Sequence, residues 1–269
     1  MPLTRPISLA MVALALLACS DSPTGPSSVT IPDAATLLAE MSSSGIGAAE
    51  SLAGSSSLVG VLTSKSDPQA CTYSDATGFF VCPTVTTGGL TITRMYRFID
   101  AAGDSQQKPD AQTSAFEVKS SVSGTVTASA TDPRASTSSY TINSTADQTL
   151  TQLRAENHTL NGVTTTRIQG TLQTGSTTIP IDELLKETTS ELVLPNAGKG
   201  QKWPLSGTIA LEETSNSFDP FAPTATYLTT ITFSGTSKVK LTFSGPLGSS
   251  SCTVDLAAPP GTGFAGCVP

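Results

Sequence analysis

The sequence predicts a mainly all-β domain: a large antiparallel meander, curled into a barrel or half-barrel, with a short N-terminal helix packed on or inside it. Two observations carry that prediction. From Cys71 onward, apolar residues recur at every second position, the period of a pleated strand with one face buried and one in water. The positions between them are filled by hydroxyls. Ser and Thr supply roughly three residues in ten, where charged residues are only 13%, and the branched Cβ of Thr suits a strand.

The strands can be read off in order. Leu90, Ile92, Tyr96 and Phe98 alternate, with Arg94 interrupting their face. Phe116, Val118, Val122, Val126 and Ala128 point one way, and Glu117, Lys119, Ser121, Ser123, Thr125 and Thr127 the other. Tyr140 and Ile142 continue the pattern. Leu150 to Leu153 and Val163 to Leu172 flank a predicted turn at Asn161-Gly162, a dipeptide suited to tight hairpins. Further alternation follows through Leu205, Ile209 and Leu211, then Tyr227, Ile231 and Phe233, then Val239, Leu241 and Phe243, and finally Val254 and Leu256. The total is about ten strands with hairpin links. Curling such a sheet removes its edges, and a two-sheet β-sandwich is the alternative way to bury the same apolar faces.

Two segments depart from this period. Ala34, Leu37, Leu38 and Met41 share a helical face after a capping arrangement of Thr30, Pro32 and Asp33, so an N-terminal helical segment is expected within residues 33–62. It is broken at Ser42 to Gly47, with a second, weaker helix at Ala48 to Ala53 and a short apolar run of unassigned type at Leu58 to Leu62. Ile181, Leu184 and Leu185 also read as helix, over Ile181 to Leu192. A Gly- and Pro-bearing loop follows, through Lys202-Trp203-Pro204.

The N-terminus carries an address. Arg5 precedes an apolar stretch from Ile7 to Ala18, which at about a dozen residues falls short of the roughly 20 needed to span a bilayer. It ends Leu16-Leu17-Ala18-Cys19, which resembles the lipobox of bacterial lipoproteins. The resemblance covers residues 1–19 only. It implies cleavage before Cys19, diacylglycerol on the Cys19 thiol and a stable membrane anchor, since two or more acyl chains hold where one does not. It also implies residence in the cell envelope. The outer membrane is favoured over the inner one, because Ser20 rather than Asp follows the cysteine. Residues 1–18 are then the leader, 19–30 a Pro-, Ser- and Gly-bearing flexible tether, and 31–269 a single β-rich domain of a size one large fold can use.

The formal charge is −7, and −8 once Arg5 leaves with the leader. Such a balance excludes nucleic acid as a partner, because phosphates need Lys and Arg. Besides Cys19 there are Cys71, Cys82, Cys252 and Cys267. An even count in an exported chain reads as disulfides, and short loops favour Cys71 with Cys82 and Cys252 with Cys267. Asp75 to Gly78 would form the turn of a hairpin between the first two. No Cys-x-x-Cys spacing supports zinc, and no metal or cofactor is expected.

Catalytic patterns find little context. Gly261 to Gly266 matches G-x-G-x-x-G, but no helix can follow before Pro269. Ser105 to Lys108 and Ser237 to Lys240 match S-x-x-K without the companion elements that chemistry requires. His158, the only histidine, reads as a solvated turn residue. Asp182-Glu183 and Glu212-Glu213 are acidic pairs with the default role of solvated charge. Trp203 is the candidate contact residue for a ligand or partner, against the competing role of packing on the sheet. These readings lead to a non-enzymatic envelope lipoprotein that binds a partner or serves a structural role. The alternatives are a carrier of an apolar ligand in a β-barrel cavity and an envelope hydrolase.

Overall fold

Alternating apolar and hydroxyl residues leave a chain no way to hide its apolar half except by pairing strands edge to edge, and the described residues do so with thirteen strands in one antiparallel sheet. The computed structural model describes residues 71–128, 138–174, 177–195, 201–215, 224–246 and 248–258, all within one compact unit. The strands are β1 (Thr72–Ser74), β2 (Phe79–Val81), β3 (Val85–Thr87), β4 (Leu90–Asp100), β5 (Ser105–Gln106), β6 (Thr113–Ala128), β7 (Ser138–Thr151), β8 (His158–Thr174), β9 (Thr177–Leu194), β10 (Ser206–Ser215), β11 (Ala225–Thr232), β12 (Lys238–Gly245) and β13 (Gly248–Asp255). The sheet path runs β1-β2-β4-β6-β7-β8-β9-β10-β11-β12-β13, with β3 and β5 paired to β4 beside it. Every neighbour from β6 onward is the next strand in sequence, so the prediction of an antiparallel meander holds.

Three expectations are corrected. The path begins at β1 and ends at β13 with no pairing between them, so the sheet is not closed into a barrel, and its strands lie in one sheet rather than the two of a sandwich. Ile181 to Leu192 is not helical: it lies within β9, an 18-residue strand paired along its length with β8 and, from Glu183 to Val193, with β10. Its helical spacing is overridden by two waiting strand edges, at the cost of leaving Leu184 exposed. Asn161-Gly162 is not a hairpin turn either. It lies inside β8, at a register shift between Leu160 and Gly162, and the connection from β7 is made by residues 152–157. There is no helix among the described residues, and therefore none long and apolar enough to cross a membrane. Residues 33–62, Cys19, Cys267 and the glycine-rich Gly261 to Gly266 lie outside the described residues.

The register sorts the side chains into two faces, since directly paired residues share a face. On the inner face, Phe98, Phe116, Leu150, Leu160 and Leu192 are paired in one row across β4, β6, β7, β8 and β9. Ile209, Ile231 and Leu241 form a second row across β10, β11 and β12, with Val239 opposite Val254 beside it. All of these are buried and belong to one apolar cluster. At the β2–β4 end the cluster is aromatic: Phe80 stacks on Tyr96 at 4.9 Å between ring centroids, and Phe98 lies 5.2 Å from Phe116. Burying a side chain of this size contributes about 1.5–3 kcal/mol, which makes these rows the main adhesive of the sheet.

Candidate functional site

The outer face is where the hydroxyls go. Thr93, Ser121, Thr145 and Thr165 are paired in register across β4, β6, β7 and β8, and the hydroxyls of Thr93 and Ser121 lie 2.7 Å apart. The next row along these strands is Met95, Lys119, Asp147 and Val163. Together the two rows line a groove of about 430 Å³. Its floor is therefore hydroxyl on one side, and on the other an ion pair set between two apolar side chains.

The ion pair is part of a longer network. Lys119 Nζ lies 3.0 Å from Asp147 Oδ2 and 3.1 Å from Glu117 Oε1. Arg97 donates through Nε to Glu117 Oε2 at 2.5 Å, and its Nη1 donates to the Ser105 hydroxyl at 3.3 Å. The Phe79 ring covers both cations, with Arg97 Cζ 4.7 Å and Lys119 Nζ 5.7 Å from its centroid. Glu117 is the buried member, with its side chain 7% exposed against 29% for Arg97 and 41% for Lys119. Hydrogen bonds to Asp147 and then to Glu117 hold the Lys119 ammonium above its ordinary pKa, so the groove keeps a fixed positive charge compensated on both sides.

The residues singled out from the sequence are dispersed. Cys71 and Cys82 form a disulfide beside the β1–β2 hairpin, whose turn is closed by Gly78 N–H donating to Ser74 O at 2.8 Å. Cys252, on β13, is also disulfide-bonded. Trp203 is half-buried on the loop before β10 and is not part of the groove. That loop is tied down by Gln201 Nε2 donating to Gly235 O and by Gly235 N–H donating to Pro204 O. His158 is not a solvated turn residue: it opens β8 opposite Leu194 and is buried, because residues 152–157 take the turn that its neighbours were expected to make.

Strand alternation divides each acidic pair between the faces. Asp182 is held on the outer face by Arg167, whose Nε and Nη2 donate to its two oxygens at 3.0 and 2.9 Å, while Glu183 turns inward. Glu212 and Glu213 are split in the same way, so neither pair can work on one substrate atom. Of the S-x-x-K matches, Ser105 serves Arg97, and Ser237 donates to Asp255, the largest of the contacts that hold that carboxylate below its usual pKa. Among the described residues no group of three or more His, Cys, Asp or Glu could hold a metal ion.

The groove itself was not singled out from the sequence. Lys119 was placed on a polar face, but nothing local connects it to Asp147, 28 residues on, or to Met95 and Val163. Only the strand register brings these together. Neither the protein-family models, nor the curated proteins, nor the solved structures contain a match to this chain.

Proposed function

We propose that this chain is a non-enzymatic binding module of the cell envelope, held to the outer membrane by lipid on Cys19, with the groove on its hydroxyl-rich face as the recognition surface. The groove carries the reading. Its volume lies within the roughly 300–1,000 Å³ usual for binding sites, and it mixes hydroxyl donors and acceptors with the apolar surface of Met95 and Val163 and a compensated ion pair. That mixture suits a protein segment, which needs backbone hydrogen bonds as well as side-chain burial. The second disulfide is assigned to Cys252 and Cys267, the short-loop pairing. The sheet is taken to curl as a half-barrel about its apolar rows, an arrangement supported by an inner face buried across β4 to β13.

A photo-crosslinking residue at position 145, introduced into the lipid-anchored chain in its envelope, tests the groove. The expected result is one reproducible protein adduct at position 145, absent at position 253 on the same face of β13 and lost with Val163→Asp. Equal labelling at both positions, or no adduct at 145, would end the groove reading.

A second reading, carriage of an apolar ligand against the inner face, is favoured by one observation. Arg94 is 96% removed from solvent on that face, with no hydrogen-bond partner at Nε or Nη1.

A further inference from the structure

Arg94 is a buried cation on the inner face, and its chemistry contradicts its apolar surroundings. It sits directly opposite Ser120, and Ile92 and Tyr96 lie two positions away on the same face of β4. Val122 and Val118 pair with those two on β6. On its other side the Cys82 N–H donates to the Arg94 carbonyl, which places the Cys71–Cys82 disulfide alongside. The wall beside it is thus apolar, with hydroxyl and amide groups at Ser120, Ser144, Thr164 and Gln148 across the next strands and the buried Glu187 further along the same row, opposite Thr164 on β9. Among the described residues no carboxylate is paired with it, and burial pulls its guanidinium below its usual pKa. A guanidinium remains protonated even so, and an uncompensated buried cation is among the least favourable things a core can hold. The nearby ion pairs do not include it. Arg97 and Lys119, which engage Glu117 and Asp147, project from the opposite face.

We infer that Arg94 is the anchor of a ligand site on the inner face, and that the ligand is an amphiphile with one anionic head group, a carboxylate or a phosphate, on an apolar body. The planar fork of the guanidinium matches two oxygens of such a head group, Ser120 supplies a neighbouring hydroxyl, and Ile92, Tyr96, Val118 and Val122 supply the apolar wall. The inference rests on the carriage reading and is independent of the outer groove.

The test uses the full mature chain and cis-parinaric acid, a fluorescent fatty acid, beside its methyl ester. The acid is expected to bind saturably and at least tenfold more tightly than the ester. Arg94→Met is expected to abolish that preference, and Arg94→Lys to retain part of it. In ligand-free protein, Arg94→Met is expected to raise the melting temperature, because it removes an unpaired charge. Inorganic phosphate is expected not to displace the probe. If neither acid nor ester binds, carriage itself fails. Equal binding of both would leave carriage standing and overturn the role of Arg94. A lower melting temperature for Arg94→Met would show an internal partner, and displacement by phosphate would show a small-anion site. Either result would overturn the inference.

Discussion

Asn161 and Glu191 are joined across β8 and β9 by a hydrogen bond in which the Glu191 N–H donates to Asn161 Oδ1 at 2.8 Å. Glu191 is in the left-handed region at φ 49°. Gly207, across the next pair of strands, has φ 103°, and the register shifts on both sides of β9, between Leu160 and Gly162 and between Ser206 and Thr208. The three residues form one bulge that crosses three strands. Asn161→Ala is expected to cost about 1 kcal/mol, because it removes the acceptor that holds the bulge. Glu191→Gly should gain about 0.5–1 kcal/mol by relieving the left-handed backbone. Gly207→Ala should cost more than about 2 kcal/mol, since its Cβ would overlap the Glu191 carbonyl oxygen and lie 2.5 Å from Leu192 Cα. Urea unfolding of the three variants measures all of these.

Glu117 and its two cations differ in burial, and the difference sets an order. Arg97→Ala strips the buried Glu117 carboxylate of its closest partner, leaving only the more exposed Lys119, and is expected to cost about 2–3 kcal/mol. Glu117→Gln keeps a hydrogen-bonding group there and leaves two cations that still reach water, so its cost should be near 1 kcal/mol. Urea midpoints would show this, and the reverse order would mean that Glu117 is not the desolvated partner.

Cys71 and Cys82 close a loop with a sequence separation of 11. The strands they tie, β1 and β2, are in strand register with β4 at two positions, Phe80 with Tyr96 and Val81 with Met95. Replacing both cysteines by Ser should cost about 2–3 kcal/mol. Hydrogen exchange should show the loss of protection confined to β1 and β2 at low denaturant, with β6 to β9 unchanged.

Two ion pairs set a shallow dependence on pH. Arg167 holds the Asp182 carboxyl below its ordinary value, chiefly through their hydrogen bonds. A depressed acid contributes stability above its unfolded pKa, near 4, and loses it as pH falls through the lower folded value. Lys119, held above its ordinary value of 10.5, contributes fully below that point and loses its share as pH rises through the higher folded value. Both pairs are about half exposed, so solvent screening keeps each contribution small. Asp182→Asn should flatten the acid limb of urea stability, and Asp147→Asn the alkaline limb.

Much of this protein was legible from its residues. A period of two needs no knowledge of the partner strand, so Leu90 to Phe98, Phe116 to Val126 and Val239 to Phe243 announced strands and their buried faces, and the Cys71–Cys82 hairpin announced itself by its turn. What escaped was what depends on pairing. Asn161-Gly162 has the chemistry of a turn and of a bulge alike, and only the length of β8 decides between them. Ile181, Leu184 and Leu185 fit a helix as well as a strand until the edges of β8 and β10 are present. Arg94 looked like an interruption of an apolar face; that it is buried without hydrogen bonds at Nε and Nη1 is a tertiary fact.

The sequence by itself therefore determined that the domain is built of antiparallel strands, and which side the residues of β4, β6 and β12 face, because these follow from alternation along one chain; strand order and the identity of β9 needed the paired neighbours. Register, the bulge and the groove of Thr93, Lys119, Thr145 and Val163 were decided by tertiary structure alone. They depend on which residue of one strand stands opposite which residue of another, and sliding a strand by one position would turn every side chain to the other face.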